Sequence, residues 1–200
     1  MHYPRRTAPG VKNGVVQKKN NHVFTAARGW TLERETPWKG FRHMVSARNV
    51  RDYVDLIPEW DEVAEGLESI CLSAGSSSAD GWYKYHPREH TSRIVLEAWS
   101  KELWFEVSQD HAKAHEAIFD LIGLPREDRG EYVLCRFSHA TARDYVMLHI
   151  FPHELGHHVD RLRSKNQVEC RRGEDFAEAF ALDLCDRTHA AWFDLVRDRA

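Results

Sequence analysis

Phe151-Pro152-His153-Glu154-Leu155-Gly156-His157-His158-Val159-Asp160 is the stretch whose reading decides the fold. His153 and His157 are four residues apart. At that spacing two side chains lie about 40° apart around an α-helix. Both imidazoles therefore leave one face, one turn apart, and can grip a single ion. Glu154 is offset around the helix, so it reaches a water on that ion instead of the ion. The approach, Tyr145-Val146-Met147-Leu148-His149-Ile150-Phe151, is apolar and predicts a buried helix. Two His and a Glu on a buried helix need partners. Gly156 costs about 1 kcal/mol against Ala in a helix interior, which points to something packed close to it. Pro152 removes one helical hydrogen bond and predicts a kink just before His153. The alternative is a shorter helix starting at Pro152, with 145–151 as a strand.

A second acidic element follows, Glu174-Asp175-Phe176-Ala177-Glu178-Ala179-Phe180-Ala181-Leu182. Apolar residues at 176, 177, 180, 181 and 184 make a helical stripe, and Glu174 and Glu178 share a face. Catalytic zinc commonly takes three protein ligands, and two His with one Glu is a standard set. The spacing assigns His153, His157 and Glu174 as ligands of one Zn²⁺ per chain. Glu178 then stands behind, holding a ligand histidine by its other ring nitrogen. The reverse, with Glu178 as the ligand, is the alternative. Asp160 is read as another carboxylate behind the ligands or as a partner of Arg161 or Arg163. One straight helix does not easily supply three ligands to one tetrahedral ion. Zinc lowers the pKa of a water it binds to roughly 7, and Glu154 is placed to take the proton as general base.

His153-Glu154-Leu155-Gly156-His157 with Glu174 downstream resembles the gluzincin group of zinc metallopeptidases. Within it, the run from His153 to Asp160 followed by Glu174 to Phe180 looks like the anthrax lethal factor-like peptidases and other minimal gluzincins, over about residues 145–185. The resemblance implies a zincin-like α+β fold and zinc on His153, His157 and Glu174. It also implies Glu154 as general base and a peptide or protein substrate. It further implies that the strand at 132–137 forms the lip along which an extended peptide adds its main chain. Lethal factor-like enzymes carry a catalytic Tyr shortly before the third ligand. Here that segment is Asn166-Gln167-Val168-Glu169-Cys170-Arg171-Arg172. Tyr145, His149, His139 and the aromatic segment 82–90 are the candidates to stabilise the transition state in its place. A zinc-holding regulatory module without turnover is the rival reading.

The rest of the chain suits one α+β domain over 46–200, with a twisted sheet of about four strands behind a basic arm, 1–45. A content of 42% hydrophobic residues with 7 Trp, 9 Phe and 6 Tyr can fill a core. No apolar run approaches the ~20 residues of a membrane span, and basic N-terminal residues without an apolar stretch after them do not make a signal peptide. Cys71, Cys135, Cys170 and Cys185 lack zinc-ribbon spacing. Reduced thiols and a cytoplasmic location are expected. The first fifty residues hold ten Lys and Arg against Glu33 and Glu35, in a chain of net charge −3. That arm is read as a tail, partly disordered up to about residue 25, whose tryptophans clip onto the core. Single-stranded nucleic acid is its alternative partner. Ser46 opens a helix that Pro58 breaks. Strands are expected at 68–73, 93–99, 102–107 and 132–137, the middle two as a hairpin about Ser100-Lys101. Helices are expected at 109–121 and 188–199. His86 and His90, and His111 and His115, have ligand spacing. The first pair sits beside Pro87 in a run unsuited to a helix. The second lacks an adjacent acid and is read as solvated.

Overall fold

The computed structural model describes residues 11–12, 15–16, 22–25, 29–75, 80–164 and 172–198. In chain order these form β1 (Val11–Lys12), β2 (Val15–Val16), β3 (His22–Thr25), β4 (Thr31–Arg34), β5 (Phe41–Arg42), α1 (Ala47–Val54) and α2 (Trp60–Val63). Then come β6 (Leu67–Leu72), β7 (Gly81–His86), β8 (Thr91–Leu96), β9 (Trp99–Ser100), β10 (Trp104–Ser108), α3 (Gln109–Ala114) and α4 (Glu116–Leu121). The chain closes with β11 (Arg126–Asp128), β12 (Tyr132–Arg136), α5 (His139–Tyr145), a π-helical turn (Val146–Ile150), α6 (Phe151–Arg163) and α7 (Gly173–Arg197).

The protein is α+β. Its main sheet runs β3-β4-β6-β8-β7, with β4, β6 and β8 parallel and β3 and β7 antiparallel at the two edges. A second, antiparallel sheet runs β10-β12-β11, and β5 pairs with β9. β1 pairs with β2 as well, so the single sheet of about four strands is corrected, among the described residues, to two sheets and two pairs. The expected hairpin about Ser100-Lys101 does not form. β8 ends in the main sheet, while β10 pairs with β12 in the other. Alternation marks a strand but does not choose its partner.

Residues 29–45, placed in the arm by composition, are built into the domain. Trp30, Leu32, Met44 and Val45 are buried, and β4 lies between β3 and β6. Trp30 clips onto the core as expected, edge-on to Trp60 at 5.9 Å, whereas Trp38 stays exposed. The stretch expected to be disordered, up to about residue 25, falls largely outside the described residues. So does Cys170, while Cys71, Cys135 and Cys185 are buried free thiols. No described helix is long and apolar enough to cross a membrane.

Ser46 caps α1, accepting from the Asn49 N–H while the Asn49 side chain accepts from the Ser46 N–H. Pro58 falls between α1 and α2, as expected of a helix breaker. The helix expected at 109–121 is interrupted at His115, and that expected at 188–199 is the second half of α7. Under α6 the core is aromatic. Tyr53 meets Phe151 at 6.0 Å and Trp192 at 5.6 Å, both edge-on. Asp144, buried beside this cluster, accepts from Trp192 Nε1 at 2.9 Å.

The approach to the decisive stretch is helical throughout, so the strand alternative for 145–151 fails. At Pro152 the helix changes register. The N–H of Phe151 donates to the Val146 carbonyl, a π-type bond. The hydrogen bond that Pro152 cannot make falls where the ladder is already shifting. α6 then crosses α7 at Gly156. A Cβ there would come within 2.8 Å of the Ala177 Cα and 3.0 Å of its carbonyl oxygen. Gly156 thus answers a need for close packing, and Ala177 and Ala181 complete a small-residue crossing, both buried.

Gly156→Ala gains helix propensity of about 1 kcal/mol, yet it drives a methyl into the backbone of α7. We expect a net loss of about 1–3 kcal/mol in urea unfolding. An unchanged or raised midpoint would show that the two helices can part without cost.

Candidate metal centre

α6 supplies His153, Glu154 and His157, and α7 supplies Glu174 from its first turn. Glu174 Oε2 lies 3.1 Å from His153 Nε2, and its Oε1 lies 3.5 Å from His157 Nε2. Ligand atoms held at about 2.0–2.1 Å around a tetrahedral zinc are roughly 3.3 Å apart. The two separations, one to each oxygen of Glu174, lie close to that value, and one ligand atom from each of the three residues lies within 4.8 Å of the others, so this donor set could hold such an ion.

The other face of His153 fixes its tautomer. Glu178 Oε2 stands 3.3 Å from His153 Nδ1. A carboxylate accepts, so Nδ1 carries the proton and the Nε2 lone pair is turned toward Glu174. Two lone pairs facing each other at 3.1 Å need a proton or a cation between them. Burial works against charge on His153, but the hydrogen bond to Glu178 and the nearby carboxylates of Glu154, Glu174 and Glu178 raise its pKa overall. For His157, burial and the neighbouring His153 outweigh the acids and lower it.

The cleft is lined by Gly81, Trp82, Tyr83, His153, Glu154, His157 and Glu174, with a volume of about 460 Å³. Its wall is β7, an edge strand of the main sheet, and not β12. The 132–137 strand expected as the lip is instead the centre of the second sheet, paired on both sides. Segment 82–90, by contrast, does wall the cleft through Trp82 and Tyr83. Gly81 allows the approach. A Cβ at that position would meet Ile150 Cγ2 at 2.7 Å and the Val95 carbonyl at 3.1 Å. Trp82 is held by its Nε1, which donates to Glu97 Oε1 at 2.8 Å.

Glu154 is buried under this wall. Burial, first, and the charge of Glu174 push its carboxyl up to about 7, against the pull of His153 and of the Tyr83 N–H that donates to it. It therefore sits poised between base and acid near neutrality.

Asp160 acts on His157 through its charge, which favours the protonated ring. Its carboxylate accepts from the Arg172 N–H at 2.8 Å, the Gly173 N–H at 3.2 Å and the Arg172 Nε at 2.9 Å. It caps the start of α7, where N–H groups lack helical acceptors. Its ion-pair partner is Arg172. Of the proposed stabilisers, Tyr145, His149 and His139 do not line the cleft. Tyr145 is packed between aromatic rings, stacked on His149 at 5.1 Å, and burial pushes its phenol well above the usual value. His139 starts α5 on the surface, its pKa lowered by burial and by Arg42. His149 is buried, which drives it down to about 4. Tyr83 is the tyrosine that does line the cleft, but its hydroxyl accepts from Arg161 Nε at 2.5 Å.

His90 ends the turn after β7 with its Nδ1 3.3 Å from the Tyr85 hydroxyl, and pairs with no other histidine. His115, read as solvated, is half-buried and packs edge-on to His149 at 4.7 Å. The four-residue spacing of His111 and His115 was the available signal. What gives it weight, Glu178 from the far end of the chain, no local pattern carries. Comparison with known proteins gives no match: no protein-family model, no curated protein and no solved structure matches the chain.

His158 points away from the cleft and is fully buried. Its Nε2–H donates to the Glu65 carbonyl at 3.0 Å, and its Nδ1 accepts from the Ser92 hydroxyl at 2.9 Å. Burial and the adjacent Arg161 lower its pKa from 6.5 to about 3. The unfolded chain thus binds a proton at His158 that the folded one refuses, and stability falls as pH drops from about 6.5 toward 3. In metal-free protein the urea midpoint should fall between pH 7 and pH 5. His158→Gln keeps the donor to Glu65 without titrating, and should make that slope shallower, leaving the share that buried His149 contributes. An equal slope in the variant would remove His158 as the cause.

Proposed function

We propose that this protein is a zinc-dependent peptidase of zincin-like, gluzincin type. The observation that carries the reading is the convergence of His153, His157 and Glu174 at metal-ligand spacing, with Glu154 buried beside them in an open cleft. What a bound zinc supplies is Lewis acidity: it acidifies a coordinated water to a pKa of about 7 and polarises a carbonyl oxygen.

The protein's own groups do the rest. Glu154 takes the proton from the attacking water, and with a carboxyl poised near neutrality it returns that proton to the leaving amine. Glu178 keeps the proton of His153 on Nδ1, so Nε2 stays a ligand. Asp160 anchors the first turn of α7, which sets Glu174 against the two histidines. β7 offers a peptide the main-chain groups of a sheet edge directly beside Glu154, apart from the Tyr83 N–H that Glu154 already takes. Trp82 and Tyr83 shape the pocket for its side chains.

A library of unstructured peptides incubated with zinc-loaded protein should be cleaved, and a chelator should stop cleavage until zinc is restored. Glu154→Gln should keep its metal and lose about 10²–10⁴-fold in rate. Glu174→Ala should lose rate together with one bound zinc. Cleavage by Glu154→Gln at the wild-type rate would exclude the general-base role. Zinc retained in full by Glu174→Ala would exclude the ligand set.

A further inference from the structure

Beyond the first centre, three more donors converge on the other side of Glu178. His115 comes from the break between α3 and α4, His149 from the π-helical turn, and Glu178 from α7. Their ligand atoms all lie within 4.8 Å of one another. No hydrogen bond joins the three to one another. His149 Nε2 is 3.7 Å from Glu178 Oε2, beyond hydrogen-bond distance.

Each donor is prepared for a cation. The Nδ1–H of His115 donates to the His111 carbonyl at 2.9 Å, so the lone pair is on Nε2. A ligand histidine is typically fixed in this way, by its second nitrogen on a backbone carbonyl. His149 has a buried ring, packed between Tyr145 and His115. Glu178 uses Oε2 on His153, while its Oε1 is buried and has no hydrogen-bond partner. An anionic oxygen buried without a partner is costly. His111 stacks on His115 at 4.0 Å and is exposed, which gives the cluster a way in from solvent.

We infer that His115, His149 and Glu178 form a second metal site, taking a divalent transition-metal ion of the kind that imidazole and carboxylate share, with zinc as its test ion. Closing the three donors to the roughly 3.3 Å of a tetrahedral shell needs each to move by about 1 Å or less. His115 and Glu178, both half-buried, have the freedom to do so. The two sites would be neighbours through one carboxylate: Glu178 binds with Oε1 and orients His153 with Oε2. A cation on Glu178 also joins α4, the π turn and α7, which local sequence does not connect.

Zinc per chain, measured by elemental analysis after equilibration and desalting, separates this site from the first. The wild type should hold about two, His115→Ala about one, Glu174→Ala about one, and the double variant none. His115→Cys, which keeps a ligand atom, should recover the second ion, with circular dichroism confirming that all variants fold. One zinc in the wild type that survives His115→Ala but leaves with Glu174→Ala would overturn the second site and keep the first. One zinc that leaves with His115→Ala and survives Glu174→Ala would keep the second site and sink the peptidase centre. No zinc in the wild type would overturn both.

Discussion

The contact of Gly156 with Ala177 is the constraint on which the rest depends. Backbone approach at that crossing leaves no room for even one methyl group. Glu174 lies one helical turn before Ala177, and His153 and His157 flank Gly156. The crossing therefore sets the distance between the histidines and the glutamate before any side chain chooses a rotamer. With a larger residue at 156 the helices would stand further apart, and Glu174, a rim residue with an exposed side chain, would no longer span the gap.

Asp160 does for orientation what Gly156 does for distance. It sits at the end of α6, fully buried, and binds the N–H groups that open α7. Three hydrogen bonds to the Arg172 backbone, the Gly173 backbone and the Arg172 guanidinium satisfy the charge and hold its pKa down despite burial. The start of α7 is thus pinned to α6 on one side of the centre, and the helix crossing pins it on the other. Arg172 in turn lies over the Phe176 ring at 3.7 Å.

What could be read from the sequence was what is local. The helical face of His153 and His157, the break at Pro58, the cap at Ser46 and the tight packing at Gly156 all follow from spacing and backbone chemistry within one or two turns. The stripe at 176–184 and the helix expected at 188–199 were read as separate elements; they are one helix to Arg197, in which Thr188 satisfies its hydroxyl on the Leu184 carbonyl at 2.7 Å. Strand pairing was not legible. β4, β6 and β8 are parallel neighbours joined by long connections, and β10 prefers β12 to its sequence neighbour. The π turn was hidden too, since Pro152 signals only that a hydrogen bond is lost. His115 was misjudged for the same reason as β12: its environment is made by residues 34 and 63 positions away, His149 and Glu178.

Burying a carboxylate beside a cleft raises the question of what keeps it usable. Glu154 is shielded by β7, whose Gly81 lets the strand settle within contact of the helix. That burial alone would favour the neutral acid. The Tyr83 N–H and the His153 ring favour the anion, and the balance falls near neutrality. The donor that stabilises the charge belongs to the same strand that walls the cleft. β7 is therefore not a passive wall. A chain added along its free edge would also exclude water from Glu154, and so would tighten every electrostatic interaction around it as the cleft fills. A chain bound there would thereby act on the protonation of Glu154, the buried one of the two carboxylates that line the cleft, and the register of β7 on β8, set at Gly81 opposite Leu96, is what brings strand and carboxylate together.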